Sequence, residues 1–480
     1  MANRQQYKYE WFGLLRDRWV LILSLLLLLV CIYAAHNGKE KVAERNQPIT
    51  KAVEEMKAND EQYKALIDSV EQGLKTDLPV WQNPQRLNVI GQHAARVAAF
   101  EPQALALVST GQSDLFTHMV KPRLYGEAVT LGFSELSNPV QLLFGSFDLA
   151  FVCINLLPLL ILAFSYNVLS AEKESGTLRL TLAQPIPLTQ WLFNKLLIRF
   201  VVLAVILIVA FSLSLLTAGV SIAQEFSSVT KIILALLAYM LFWFGLSFLV
   251  NLRGRSSGSN AVVLVSLWVL IVLLIPAMIS QLANNLYPVP SRVGMLTELR
   301  YAEAEAQKNA NQILESYYRD HPELARTDTT TQELYPFWLG YFASQDEIRK
   351  AVEPILSEYE SKLQAQQQTV DRLRVLSPAI LLQNIFNETA GTSSRHYNSY
   401  RQQVVDFATA WRNFFLPRMF RNELMKKEWM DELPTFSFDA DKIEKQYTAD
   451  VIVLLFYGFA GFALSFLLYR NYVTEKVLLT

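Results

Sequence analysis

The sequence contains no complete catalytic motif among its potentially reactive residues. A nucleotide-hydrolysing loop needs glycines followed by Gly-Lys-Ser/Thr, because backbone N–H groups and the lysine hold the phosphates. Residues 253–259 read Arg-Gly-Arg-Ser-Ser-Gly-Ser, with no lysine, so a flexible basic turn is favoured. The triplet Gly145-Ser146-Phe147 lacks the second glycine of a serine-hydrolase elbow. We therefore expect that the chain is not an enzyme and that any nucleotide is bound by another subunit.

The histidines and cysteines, which are potential metal ligands, do not occur at the spacing of a known metal-binding motif. None of the histidines belongs to a His-Glu-x-x-His pattern, which would place two ligands on one helix face. Cys31 and Cys153 both lie in apolar runs, where they cannot form a disulfide framework or a zinc site in the polar parts of the chain. The histidines are His36, His93, His118, His321 and His396. The sequence predicts no metal and no cofactor bound by this chain.

The composition is that of a membrane protein. Hydrophobic residues make up 52% of the 480 residues and charged residues 18%, and the apolar residues collect into runs of the roughly 20 residues that cross a bilayer as a helix. Lys plus Arg number 43 against 44 Asp plus Glu, so there is no basic field to bind nucleic acid. The predicted spans are residues 19–35, 148–169, 200–220, 232–250, 261–279 and 451–469.

Cations near the helix ends predict the orientation, because short cytoplasmic loops are enriched in Lys and Arg. They occur before the first span, between spans two and three, between spans four and five, and in the 470–480 tail. Both termini are therefore expected in the cytoplasm, in a bacterial inner membrane. The first run could also suit a signal peptide, but its polar lead is long and Tyr33-Ala34-Ala35 is a poor cleavage site, so a retained anchor is favoured. The cations are Arg4, Lys8, Arg16, Arg18, Lys173, Arg179, Lys195, Arg199, Arg253, Arg255, Arg470 and Lys476.

Two large segments, residues 36–147 and 280–450, are then expected on the extracytoplasmic side of the membrane. Both carry apolar stripes at helical spacing, and both return to the same membrane face, so we expect them to pack together. The stripes are Ile49, Val53, Met56, Tyr63, Ile67 and Val70; Val352, Ile355, Tyr359, Leu363, Val370 and Leu373; and Tyr400, Val404, Phe407, Trp411 and Phe414. The predicted fold is an all-α membrane protein with six transmembrane helices and two large, mostly helical extracytoplasmic insertions.

Asn155 and Pro158 are the notable polar and helix-breaking residues inside the predicted spans. A kink stabilised by a hydrogen bond between helices is the favoured interpretation, and a lining position on a transport route is the alternative. In the last span, Gly461 and Ser465 have the small-xxx-small spacing of a close helix contact.

The cytoplasmic segment 170–199 is the most specific stretch of the chain. It leaves the membrane with Glu172 and Glu174, breaks at Gly176, continues as a short leucine-rich helix that stops at Pro185, and re-enters through Trp191 and Lys195. A compact knob is predicted, whereas a plain connector would be mostly polar.

This knob resembles the Glu-x-x-x-Gly-Thr-Leu…Pro…Lys signature after the second span of ABC-2-type transporter permeases. In that family the knob is a coupling helix that fits a groove on the nucleotide-binding subunit. The matching residues are Glu172 or Glu174, Gly176, Thr177, Leu178, Pro185 and Lys195. Either glutamate could be the family's equivalent residue.

Two further parts resemble the same family. The 1–18 segment, with Trp11, Phe12, Leu15 and Arg18, is similar to its amphipathic elbow helix, and aromatic and basic residues suit a helix in the headgroup plane. The outer motifs resemble a subfamily with a domain of unknown function between its last two spans. These motifs are Tyr287-Pro-Val-Pro-Ser-Arg292, Leu376-Ser-Pro-Ala379, Ala390-Gly-Thr392 and Trp411-Arg-Asn-Phe-Phe415.

The resemblance implies a permease subunit of an ABC exporter that works by alternating access. Its implied partners are an ABC ATPase subunit, which binds ATP and Mg, a second permease copy or a similar permease, the lipid bilayer, and an envelope or periplasmic partner. The alternative is a scaffold protein that transmits motion from the same type of ATPase to an envelope partner without transport. The sequence leaves open the substrate and the choice between a homodimer and a heterodimer.

Overall fold

The computed structural model describes most of the chain. The described residues are 10–14, 16, 18–74, 79, 81–111, 117–125, 147–178, 183, 187–289, 292–320, 334–440 and 447–476. Within them, six helices are long and apolar enough to cross a membrane: Arg18–Glu71, Leu149–Glu174, Leu188–Ala218, Phe226–Leu252, Ser257–Leu286 and Thr448–Leu467. We call them spans 1 to 6. Their number agrees with the six predicted from apolar runs.

The six spans form one bundle with two different ends. We call "loop end" the end with residues 170–178, the first turns of span 3 and the 253–256 turn, and "domain end" the opposite one. Spans 2 and 4 are central, since 67% of the apolar window of each is buried, against 17% for span 5. Spans 4 and 6 approach most closely at glycines, where a Cβ on Gly245 would lie 3.5 Å from the Cα of Gly461. The Ser465 hydroxyl is buried here and donates to the Gly461 carbonyl at 2.7 Å, so the close contact expected from these two residues is present.

Spans 2 and 5 are interrupted helices. Span 2 consists of Leu149–Phe151, a π-helical turn at Val152–Leu156, Leu157–Ser165, a turn at residues 166–169 and Ser170–Glu174. Span 5 consists of Ser257–Trp268, a π-helical turn at Val269–Leu274 and Ile275–Leu286. Each π-helical turn precedes a proline, Pro158 or Pro276. A proline lacks the N–H that would close the next backbone bond, and a π-bulge is one way for a helix to absorb that loss.

The first predicted span and the first predicted amphipathic stripe belong to one continuous helix. The helix Arg18–Glu71 has 54 residues, about 80 Å at 1.5 Å per residue, and joins the predicted span 19–35 to the stripe at residues 49–70. The helix continues because the stripe at Ile49 and Ile67 stays in phase and is buried. Gly38 allows this extension to pack, since a Cβ there would lie 2.1 Å from the carbonyl oxygen of Leu107.

The remaining elements form the two inserted segments. The helices are Leu87–His93, Arg292–Lys308, Ala310–Asp320, Pro336–Leu373, Pro378–Ala390 and Ser394–Phe420, with short 3-10 turns at Arg374–Leu376 and Lys427–Met430; span 6 belongs to the helix Tyr447–Lys476. Strands Ala98–Ala99 and Met119–Val120 pair antiparallel. The indole Nε1 of Trp411 donates to the Gly91 carbonyl at 3.0 Å, and the Tyr400 hydroxyl donates to that of Ala98 at 2.9 Å. The two segments therefore pack together, as expected.

One helix of the second segment lies among the spans. In the Pro378–Ala390 helix, Leu382 and Ile385 are fully buried within the core of the bundle. The Ser377 hydroxyl donates to the Ile271 carbonyl of span 5 at 2.8 Å. In the π-helical register found here, where the Ile275 N–H bonds to the Leu270 carbonyl, the Ile271 carbonyl would be the acceptor for residue 276, which is a proline and has no N–H. The sequence analysis placed all of residues 280–450 outside the bundle and did not predict this packing. The packing depends on residues that are distant in sequence.

Candidate functional site

The most polar cluster at the loop end is built around the knob segment. Span 2 ends in the short helix Ser170–Glu174, and Gly176 then turns the chain with a left-handed φ of +77°. A Cβ on Gly176 would meet no atom within 4 Å, so glycine is needed for the backbone conformation rather than for space. Thr177 and Leu178 follow, and Thr177 is exposed. Pro185 lies outside the described residues, as does most of the predicted leucine-rich helix.

Glu172 connects this turn to span 3 and, through Lys195, to the helical residues 10–14, which we call the N-terminal helix. Its carboxylate accepts a hydrogen bond from Lys195 Nζ at 2.7 Å and another from the Thr177 hydroxyl. Lys195 Nζ also lies 3.5 Å from the carboxylate of Glu10, which pairs with Arg199 at 3.2 Å. Since the side chains of Lys195 and Glu10 are only 14% and 12% exposed, loss of one partner would leave a poorly hydrated charge.

Glu174 makes a second and separate connection, to the start of span 5. Its carboxylate accepts from the Ser257 backbone N–H at 2.8 Å and from the Ser257 hydroxyl at 2.9 Å. Ser257 is the first residue of that helix, where a carboxylate also interacts favourably with the helix dipole. Lys173 adds a bond to the Gly254 carbonyl at 2.9 Å. The segment is thus attached to the turn between spans 4 and 5 as well as to span 3.

The two glutamates therefore have different structural roles. Glu172 is partly buried and belongs to a network of four charged side chains, whereas Glu174 is exposed and holds a helix N-terminus. Sequence spacing alone did not distinguish the roles of these two glutamates. Of the two glutamates, Glu172 is the one that belongs to the ion network. This network joins the turn at Gly176 to span 3 and to the N-terminal helix.

The N-terminal helix is placed by an acid that the sequence pattern did not single out. Of the predicted elbow residues, Trp11 and Phe12 are 46% and 51% exposed, and Arg18 is the exposed first residue of span 1. Leu15 lies outside the described residues. Glu10 anchors this helix through Lys195 and Arg199. The 1–18 segment contains two acids, Glu10 and Asp17, and no local pattern distinguishes the one that forms ion pairs.

Asn155 lies in the π-helical turn of span 2, and Pro158 lies in the first turn of the α-helix that follows it. Pro158 is buried, and the carboxamide of Asn155 donates to the Phe151 carbonyl of its own helix at 3.1 Å. The carbonyl of Ile154, the normal partner of the N–H that Pro158 lacks, accepts from the Tyr239 hydroxyl of span 4 at 3.0 Å. These contacts match a kink stabilised between helices.

Among the residues that the structure describes, no three His, Cys, Asp or Glu side chains are grouped so that they could hold a metal ion. Both cysteines are buried and free. A cavity of about 480 Å³ lies in the inserted segments beside Met425 and Trp429.

One family model matches part of the chain. Residues 292–439 match a domain of unknown function, DUF3526. The match lies between the end of span 5 at Leu286 and the start of span 6 at Thr448. No curated protein and no solved structure matches the chain.

Proposed function

We propose that this chain is the permease subunit of an ABC-2-type exporter and that its loop end receives an ABC ATPase subunit. The ion network of Glu172, Lys195, Glu10 and Arg199 carries this proposal, because it joins the exposed turn at Gly176 to the bundle. The ATPase subunit binds ATP and Mg, and this chain binds neither. The permease pairs with a second copy or a similar permease in the inner membrane, with the loop end and both termini in the cytoplasm.

The contacts at the loop end suit the transmission of force. A push on the turn at Gly176 would reach span 3 through Glu172 and Lys195, and span 5 through Glu174 and Ser257. Spans 3 and 5 are partly exposed around the central spans 2 and 4, so they can tilt with less loss of buried contact. Nucleotide then shifts the equilibrium between two states because the contacts at this end differ between them.

A second candidate is a mechanical protein that moves the inserted segments without transport. The single helix Arg18–Glu71 favours it, because an unbroken helix connects the bundle to the core of the inserted segments, where Ile67 is fully buried. The same ATPase would then act on an envelope or periplasmic partner. Movement of a substrate by purified chain and ATPase in vesicles would exclude this candidate.

Co-purification with a co-expressed ABC ATPase tests the docking site. The triple variant Glu172→Lys, Glu174→Lys, Gly176→Trp should lose the ATPase, since it reverses both carboxylates and strains the left-handed turn. The control reverses two exposed carboxylates of the second inserted segment, Glu347→Lys and Glu358→Lys, and should retain it. Equal ATPase recovery with both variants would refute the docking site.

The sidedness of the loop end is tested independently. Ser175 is exposed beside the turn, and a cysteine placed there should react with a membrane-impermeant maleimide only after the cytoplasmic face is opened. Labelling of intact spheroplasts would place the knob outside and contradict the proposal.

A further inference from the structure

Span 2 is interrupted near its loop end at a place that has no proline or glycine. The helix stops at Ser165 and resumes at Ser170, and residues 159–175 contain neither residue type. Kinks in helices have identifiable causes, one of which is a side chain inserted into the backbone hydrogen-bond ladder. Side chains of three neighbouring spans enter the ladder here: Asn251 of span 4, Arg199 of span 3, which donates to the Phe164 carbonyl, and Asn260 of span 5.

The carboxamide of Asn251 in span 4 takes both partners of one backbone hydrogen bond. In a regular helix the Leu169 N–H would bond to the Ser165 carbonyl. Here the Leu169 N–H donates to Asn251 Oδ1 at 3.2 Å, and Asn251 Nδ2 donates to the Ser165 carbonyl at 2.8 Å. The carboxamide thus replaces one backbone hydrogen bond by two side-chain bonds and keeps both backbone groups satisfied.

The surrounding contacts make the site dry and well defined. Asn251 is fully buried, and its Nδ2 also bonds to the Ser247 carbonyl at 2.8 Å. The Ser165 and Ser247 hydroxyls share a hydrogen bond at 2.6 Å, and the carboxamide of Asn260 in span 5 donates to the Tyr166 carbonyl at 3.2 Å. Spans 4 and 5 therefore both hold the break from its buried side.

We propose that Asn251 is the positioning residue of a pivot in span 2, about which residues 170–178 move against the rest of the bundle. In the observed state the carboxamide is inserted. In the second state it withdraws, the Leu169 N–H bonds to the Ser165 carbonyl, and span 2 becomes continuous. Both states satisfy these two backbone groups, which a two-state element needs if a partner is to shift its equilibrium. This inference rests on the proposed function, since it supplies the joint that the coupling segment needs.

The test measures the geometry of span 2 in the purified full-length chain. Spin labels are attached at Ala163 and Ser175, which are exposed on either side of the break, in a chain whose buried Cys31 and Cys153 are replaced by alanine. Twelve residues of regular helix span about 18 Å. In the Asn251→Ala variant we expect the Ala163–Ser175 distance to shift to the regular-helix value, with little loss of Tm.

The experiment has two controls: a reference distance measured in a regular helix of the same protein, and a matched substitution elsewhere in the bundle. Val201 and Leu213, both exposed and also twelve residues apart, lie in the regular helix of span 3, so the same labels there give the regular-helix distance. The Ser214→Ala variant removes another fully buried hydroxyl, which bonds only to its own helix at Ala210, and should leave the Ala163–Ser175 distance unchanged.

A purely structural role for Asn251 gives the opposite pattern, namely a lower Tm and an unchanged distance, and would overturn the proposal. If Asn251→Ala does not fold, Asn251→Ser is measured in the same way, since its shorter hydroxyl cannot bridge both backbone groups. These measurements need no ATPase. A failed docking experiment with a shifted distance would refute the proposed partner and leave the pivot standing, and the reverse result would refute the pivot alone.

Discussion

Removal of the Tyr239 hydroxyl tests how span 2 tolerates Pro158. This hydroxyl is fully buried and donates to the Ile154 carbonyl at 3.0 Å. In Tyr239→Phe the carbonyl has no donor from the residue-158 backbone, because proline has none. The second variant, Pro158→Ala, restores a backbone N–H that can reach Ile154 as in a regular helix.

The expected magnitude follows from the burial of the carbonyl. An unsatisfied buried acceptor costs about 1–3 kcal/mol, while hydrogen bonds between membrane helices average roughly 0.6 and reach about 1.7 kcal/mol. We expect Tyr239→Phe to lower the free energy of unfolding by about 1.5 kcal/mol in the parent chain. In the Pro158→Ala background the loss should fall to about 0.5 kcal/mol, which is a coupling energy of about 1 kcal/mol.

The assay is SDS-induced unfolding in mixed micelles for the parent, the two single variants and the double variant. These four proteins form a double-mutant cycle. The destabilisation from the cavity that Pro158→Ala creates cancels in this cycle, because that substitution is present on both sides of the comparison. Equal losses from Tyr239→Phe in the two backgrounds would show that the hydroxyl does not compensate for the proline, and the account of the kink would be wrong.

Three further changes test packing and electrostatics elsewhere. Trp411→Ala should cost about 3–5 kcal/mol and make the inserted segments sensitive to protease, because this fully buried side chain joins both segments. Gly38→Ala should destabilise by about 1–3 kcal/mol, measured as a Tm loss, since the new methyl would meet the Leu107 carbonyl; Gly294→Ala, with no atom within 4 Å, should not. Burial raises the pKa of Glu388, so its contribution to stability is present at low pH and is lost as the pH rises through the raised pKa. Glu388→Gln should thus raise Tm more at about pH 7.5 than at about pH 5, and an equal gain at both would contradict the burial effect.

The packing of spans 4 and 6 shows how far small residues can be interpreted from sequence. The spacing of Gly461 and Ser465 indicated a close helix contact, and Gly461 does lie against span 4. The partner, Gly245, carried no such signal, since one glycine in an apolar helix does not specify which helix it faces. The small residues therefore predicted that span 6 makes a close helix contact. Only the tertiary structure shows that the contact is with Gly245 of span 4.

The loop end shows the same limit for charged residues. The motif at Glu172, Gly176 and Lys195 was evident from residue types and spacing. The acid of the N-terminal helix and the serine at the start of span 5 were not, because Glu10 and Ser257 meet the motif only through contacts between residues about 80 or more positions apart. Distance along the chain hides such partners from any local pattern.

The sequence by itself determined the number of spans and the helical character of the inserted segments, since both follow from apolar runs and helical spacing, which are local properties of the chain. The tertiary structure decided where helices break or continue. Span 2 is interrupted where Asn251 takes both partners of a backbone bond and no proline or glycine is present, and the helix Arg18–Glu71 runs without a break from the first apolar run to the stripe at Ile49 and Ile67. The physical reason is that a backbone hydrogen bond can be replaced, or a helix prolonged, by side chains that are distant in sequence and close only in the fold.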